Sequence, residues 1–329
     1  MKKKIMLLLS SMLIISISSV LITLLVNKKE ETREDYTIVT SFYPMYVLAK
    51  NIIGDVEGIN LVNLTDYQSG CLHDYQLTTA DMKRLENADL FIMNGGGMEN
   101  FIEEIVESYP ELQVINASEG IEFLASEHNH DHNHDHDHDH EDDTHDEEEE
   151  SDGHAHEEEF NAHVWLNMDY YRTQIENVKN GLIQYNESHS DKFNYNAKEY
   201  DNKIVELKNK YQTTLGDISG NEVVIFHDAF AYLAEQLGLE VVYTINMDNE
   251  TSLSAGEIAL VVDEVKEHDI RVLFTEEQYS TNIAENIANE TNAEVHVIDS
   301  IVQGSFDEDG YIDAMNYNLD VLKEVFVNQ

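Results

Sequence analysis

The sequence predicts an α/β protein of two doubly wound lobes with parallel-type sheets, bridged by one long helix. Three observations carry that prediction. Between Tyr36 and Ile115, short β-rich runs alternate with helical periods, the pattern of a parallel sheet with helices on its faces. The same alternation restarts at Glu222 and continues to Phe326. Between the two stretches, Phe193, Ala197, Tyr200, Ile204, Leu207, Tyr211 and Leu215 recur at helical spacing. They mark a helix of about 25 residues, about 37 Å long, which suits a strut along the side of a two-domain protein. The expected limits are 36–187 for the first lobe, 190–219 for the bridging helix and 220–329 for the second lobe.

In the first lobe, Tyr36–Thr40 reads as a strand. Pro44 opens a helix to about Ile53, because a proline in the first turn forfeits no intrahelical bond. Ile59–Leu64 is a second strand. Thr78-Thr79-Ala80-Asp81 is a capping-box pattern that starts a helix to about Ala88. Asp89–Met93 and Leu112–Ile115 are further strands, with a helix near Met98–Glu107 between them. Asn94-Gly95-Gly96-Gly97 lacks the lysine and following helix of a phosphate loop and reads as a tight turn. Tyr171, Ile175, Val178, Leu182 and Tyr185 form the stripe of one more helix before the strut, which Gly216 and Gly220 end. In the second lobe the strands are Glu222–Phe226, Leu239–Ile245, Arg271–Thr275 and Val295–Ile298. The helices are Ala229–Leu237, Ala255–His268, Asn282–Thr291 and Ala314–Phe326.

The amino terminus is of another kind. Lys2, Lys3 and Lys4 precede an uncharged apolar run from Ile5 to Val26, and Lys28 and Lys29 come after it. A basic start and an apolar core make an export signal, and about 22 residues of helix reach about 33 Å, enough to span a bilayer. With no small-residue cleavage site and no lipid-accepting cysteine at its end, 1–29 reads as an uncleaved anchor, a cleaved signal being the alternative. Either way the bulk of the chain lies outside the cytoplasm.

The net charge is −47 over 329 residues, and 17 of the acidic residues lie in Glu127–Glu159. An excess of this size disfavours nucleic acid, whose phosphates need clustered Lys and Arg, and attracts cations. A lone cysteine, Cys71, excludes a disulfide framework and a cysteine-based zinc site.

The 127–159 tract holds His128, His130, His132, His134, His136, His138, His140, His145, His154 and His156, interleaved with acids and without Lys or Arg. Its composition cannot bury enough apolar surface to form a core, so a disordered loop is expected. Its imidazoles suit weak, multiple capture of metal ions, against the plainer reading of a solvated linker.

Outside the tract, four residues fall on strand-to-helix connections, two in each half: His73, His163, His227 and Asp299. Ligands of doubly wound sheets bind beyond the carboxyl ends of strands. Three imidazoles and a carboxylate suit Zn²⁺ or a similar first-row ion. The alternative is that these are hydrogen-bonded structural residues. His189 and His268 read as solvated, and His296 points away from the face of its neighbours Val295 and Val297.

Four stretches then carry a resemblance. HDYQLTTADMKRLENADLFIMNGGGME (73–99), AHVWLNMD (162–169), FHDAFAYLA (226–234) and FTEEQYSTNIAENIANETNAEVHVIDSI (274–301), in that order, resemble segments of the zinc- and manganese-binding extracellular receptors of bacterial ABC importers. The resemblance implies two lobes with a metal site in the cleft between them, and metal roles for His73, His163, His227 and Asp299. It implies zinc as cargo, since a histidine stands where manganese members often carry a carboxylate, with manganese as the alternative through Asp299. It also implies a permease partner, and the chain is expected to be a monomer that does no chemistry. Four protein ligands leave no open coordination position for an activated water. A surface adhesin with a structural metal and a metallohydrolase with an open metal site are the rivals of other classes.

Overall fold

The computed structural model describes residues 36–65, 72, 75–126, 160–245, 253–276 and 281–328. The amino-terminal segment, the histidine tract, Cys71 and His73 lie outside the described residues. No helix among the described residues is long and apolar enough to cross a membrane.

Two four-stranded parallel sheets organise the chain. The first has β1 (Tyr36–Thr40), β2 (Ile59–Asn63), β3 (Leu90–Met93) and β4 (Gln113–Asn116) in the order β2-β1-β3-β4. A small antiparallel pair comes next, β5 (Leu124–Ala125) with β6 (Phe160–Asn161), and the sequence pattern did not suggest it. The second sheet has β7 (Glu222–Ile225), β8 (Glu240–Thr244), β9 (Val272–Thr275) and β10 (Glu294–Val297) in the order β10-β9-β7-β8. Taken from the β8 edge, the second sheet runs second, first, third, fourth, as the first sheet does. The repeated architecture is therefore real at the level of topology, with all pairings within the two sheets parallel.

The helices are α1 (Tyr43–Ile53), α2 (Thr79–Glu86), α3 (Ile102–Ser108), α4 (Met168–Tyr185), α5 (Ser190–Leu215), α6 (Ala231–Leu237), α7 (Ala255–Glu267), α8 (Asn282–Glu290) and α9 (Gly310–Phe326). Thr78 closes the expected capping box: its hydroxyl accepts from Asp81 N while the Asp81 carboxylate accepts from Thr78 N. Helix α9 begins earlier than the apolar stripe suggested, and α3 is shorter.

The strut α5 buries Phe193, Ala197, Tyr200, Ile204, Leu207, Tyr211 and Leu215, the seven residues that the spacing singled out. Each fully buried large apolar side chain contributes about 1.5–3 kcal/mol. That face packs on α1 and α4 on one side and α9 on the other. Polar ties fasten the same helix to both lobes. Arg172 on α4 grips Asp201, the Tyr211 hydroxyl donates to Met315 O at 2.5 Å, and Lys203 meets Asp309 at 2.8 Å. Gly216 ends the helix at φ +67°.

Elsewhere the lobes are also joined directly. Tyr43 donates to Ser305 O at 2.8 Å, Lys50 to Phe306 O at 2.6 Å, and Tyr171 stacks on Tyr311 with ring centres 3.9 Å apart. One apolar core therefore runs from the first sheet through α1, α4 and α5 to the inner face of the second sheet and α9. A separate, smaller core lies between the outer face of the second sheet and α7 and α8.

Candidate metal centre

In a sheet ordered second, first, third, fourth, the chain leaves the first and third strands toward opposite edges, and a crevice opens beyond their ends. In the second lobe those strands are β7 and β9. His227 lies just past the end of β7, with extended backbone, and Glu276 directly succeeds β9. Both are buried, and the His227 Nδ1 is in close hydrogen-bond contact with Glu276 Oε1. His163 arrives from the other lobe, between β6 and a short turn, Val164–Leu166, that leads into α4. The two imidazoles lie edge to face with ring centres 4.7 Å apart, and neither is exposed.

The surrounding hydrogen bonds decide which ring nitrogen each histidine offers. Asn161 donates through Nδ2 to Asp228 O at 2.7 Å, so its Oδ1 is the acceptor. That oxygen takes the His163 backbone N–H at 3.0 Å and contacts His163 Nδ1 at 2.8 Å. His163 therefore carries its proton on Nδ1, and the Nε2 lone pair is left for a cation. Glu276, as a carboxylate, fixes His227 in the same tautomer. Two imidazoles held this way are zinc-type donors.

Asp228 supplies a carboxylate. One donor atom each from His163, His227 and Asp228 lies within 4.8 Å of the others, and all three residues are buried. Asp228 Oδ1 is 3.6 Å from His227 Nε2 and 3.4 Å from His163 Nδ1. The edge of a zinc tetrahedron with bonds of about 2.0–2.1 Å is about 3.4 Å, so the donor chemistry and the His227–Asp228 spacing fit such an ion.

Asp299 stands apart from this group. It lies just past β10, is half-buried, and accepts the Ile301 N–H on its Oδ1 at 2.7 Å. The buried Asn318 of α9 holds its backbone on both sides, accepting from Asp299 N at 2.7 Å and donating to Asp299 O at 2.8 Å. Ile301 has φ +61°, a conformation that costs a β-branched residue about 1–3 kcal/mol and persists only where its neighbours enforce it. Asp299 and Glu276 both line a cavity of about 380 Å³, with Tyr43, Asn63, Thr65 and Tyr317 on its walls. Burial, then the charges of Asp299, Asp307 and Asp313, push the Tyr43 phenol well above its usual range, so it stays a neutral donor.

The glycine turn supports His163 from behind. Gly95 has φ +87°, and a Cβ there would lie 2.1 Å from Asn116 Oδ1. The Glu99 carboxylate accepts from Asn94 N at 2.8 Å and Gly95 N at 3.0 Å. Asn94 in turn donates to Ala162 O at 2.9 Å, next to His163, and its Oδ1 accepts from Gln174 at 2.8 Å.

Residues 38–325 match the profile of the family described as ZnuA, zinc-uptake complex component A, periplasmic. The chain belongs to the ZnuA family. It is 31% identical over 294 residues to the high-affinity zinc uptake system protein ZnuA of Bacillus subtilis, covering 87% of this chain and 86% of that protein. It is 29% identical over 296 residues to the zinc-binding protein AdcA of Streptococcus pyogenes, covering 87% of this chain but only 55% of AdcA. Among solved structures, the metal-dependent lipoprotein YcdH of Bacillus subtilis matches at 27% identity and TM-score 0.68, over 89% of this chain and 100% of that one. The manganese-bound FpvC of Pseudomonas aeruginosa shares the fold at 22% identity and TM-score 0.72, over 89% of this chain and 99% of its own.

In this ZnuA-family chain, the structure brings together His163 and His227 of the four residues singled out by position. It adds Asp228 beside them and places Asp299 in the adjoining cavity. The sequence reading passed over Asp228 and Glu276. The strand-end rule that found His227 also covers Glu276, which comes immediately after Thr275. Asn161 and Ser300 carried no such signal, because their roles depend on partners 67 and 24 residues away. His268 is exposed between Glu222 and Glu264, in keeping with the solvated reading, and His296 is partly buried beside Glu294.

Proposed function

We propose that this chain is the extracellular receptor of a zinc importer, binding Zn²⁺ as cargo through His163 and His227 and passing it to an ABC permease. His73 and a carboxylate, Asp299 or Asp228, complete the ligand set. The observation that carries this reading is the pair of buried imidazoles, each with Nδ1 committed to an oxygen acceptor and Asp228 beside them. Membership of a zinc-uptake family supports the same cargo. Residues 1–29 hold the receptor, a monomer, at the outer face of the membrane.

The histidine tract 127–159 gathers zinc for this site. Its flanks support that role: β5 and β6 pair at the base of the tract, Ser126 Oγ lies 3.4 Å from Asp228 Oδ2, and Asn161 contacts His163. The carboxylates nearby leave manganese as the second reading, since oxygen donors suit that ion.

Calorimetric titration with zinc and then manganese tests the assignment. One tight zinc event that survives deletion of 127–159 and disappears in His163→Ala/His227→Ala is the expected result. Tighter manganese binding would move the cargo to manganese. Absence of a tight event outside the tract would overturn the reading.

A further inference from the structure

The ligand-bearing connections of the second lobe are wired together through one carboxylate. Glu276 Oε1 contacts His227 Nδ1, and its Oε2 accepts the Ser300 hydroxyl at 2.5 Å. Ser300 sits between Asp299 and the left-handed Ile301. The same Ser300 accepts the Trp165 indole N–H on its backbone oxygen at 2.8 Å, and Trp165 lies two residues beyond His163. Glu276, Ser300, Trp165 and His227 are all essentially buried. A carboxylate placed behind a ligating imidazole fixes its tautomer and ring angle and raises its basicity. Here that carboxylate is itself held by the residue adjoining Asp299.

We propose that Glu276 is a positioning residue of the metal centre: it aims His227 Nε2 at the ion and, through Ser300, locks the strained turn that carries Asp299. The inference rests on the zinc-receptor reading and adds to it. The consequence is cooperative delivery of ligands. His227 cannot reorient without disturbing Glu276, and Glu276 cannot shift without releasing the Ser300 hydroxyl beside Asp299. The strain at Ile301 persists because Asn318 and Glu276 hold the two residues before it, Asp299 and Ser300. Release of metal would then begin with loosening of this relay, with the lobes themselves kept in place by their shared core.

The test compares zinc affinity of the full chain with those of Glu276→Ala, Glu276→Gln, Ser300→Ala and His227→Ala. Visible spectra of the cobalt(II)-loaded proteins report ligand geometry. Glu276→Ala is expected to weaken zinc by about 10–100-fold and to change the cobalt spectrum. Glu276→Gln keeps the shape and one acceptor, so it should recover part of the loss, and Ser300→Ala should give a smaller loss with the same spectral change. Thermal melting of the metal-free proteins separates misfolding from mispositioning. If Glu276→Ala does not fold, Glu276→Gln and Ser300→Ala decide the matter. Parent-like affinity and spectra in the Glu276 and Ser300 variants, with binding lost in His227→Ala, would overturn the positioning role alone. Unchanged binding in His227→Ala would overturn the site itself and the relay with it.

Discussion

The two faces of the second sheet lie in different environments. Val223, Ile225, Val272 and Phe274 point into the core shared with the first lobe, α5 and α9. Val224 and Leu273, the alternate residues of the same strands, and Phe226 just past β7 point into the small core under α7 and α8. The period of two along a strand divides them. This division governs which parts of the receptor can loosen separately. The strands that present His227 and Glu276 are anchored in the shared core, whereas α7 and α8 form a layer that can open without taking the first lobe with it. A hinge between whole lobes would have to break the larger core.

The largest test of that contrast uses one residue type in two places. Leu322 and Leu273 are both fully buried, one in each core. Leu322→Ala and Leu273→Ala should each cost about 2–5 kcal/mol locally. Hydrogen exchange should find protection lowered across both sheets in Leu322→Ala, but first in α7 and α8 in Leu273→Ala. Identical exchange maps would abolish the distinction.

A smaller effect is expected at the seam. Trp165→Phe keeps an aromatic ring against Phe42, whose ring centre is 5.0 Å away, and removes the donor to Ser300 O. Loss of that buried hydrogen bond should cost about 1–3 kcal/mol. Denaturation should still be a single transition for β1–β4 and the inner face of the second sheet. A new intermediate with one sheet unfolded would place the division between the lobes instead.

The smallest is a slope. Burial pushes the Glu99 carboxyl above its usual range, against the backbone N–H groups of Asn94 and Gly95 that favour its ionised form. A raised folded pKa means that the folded state holds the proton more tightly than the unfolded state. The contribution is full below about pH 4 and is lost as the pH rises through the folded pKa. Glu99→Gln lacks this titration, so the stability of the parent relative to the variant should fall as the pH rises above about pH 4. Denaturant midpoints measured across that range check it, and parallel curves would remove Glu99 from the account.

Much of this was legible along the chain. The seven buried residues of α5 are given by helical spacing alone, because a helix fixes which side chains share a face within one or two turns. The capping box at Thr78 and the stop at Gly216 are equally local. His227 was found because the rule for strand ends needs only a strand and the residue after it. Asn161 and Ser300 were not found, since an amide or a hydroxyl gains a role only when a distant partner is brought to it.

The elements, their order, the strut and the chemical character of the site were thus written in the chain, since period, capping and residue type are properties of neighbours. Tertiary packing alone determined that Asp228 stands 3.4 Å from His163 Nδ1, that Glu276 backs His227, and that Asp299 lies in the adjoining cavity. Those facts depend on how strands from distant parts of the chain are placed side by side. Packing of the shared core sets that placement to fractions of an ångström, and local propensity carries no record of it.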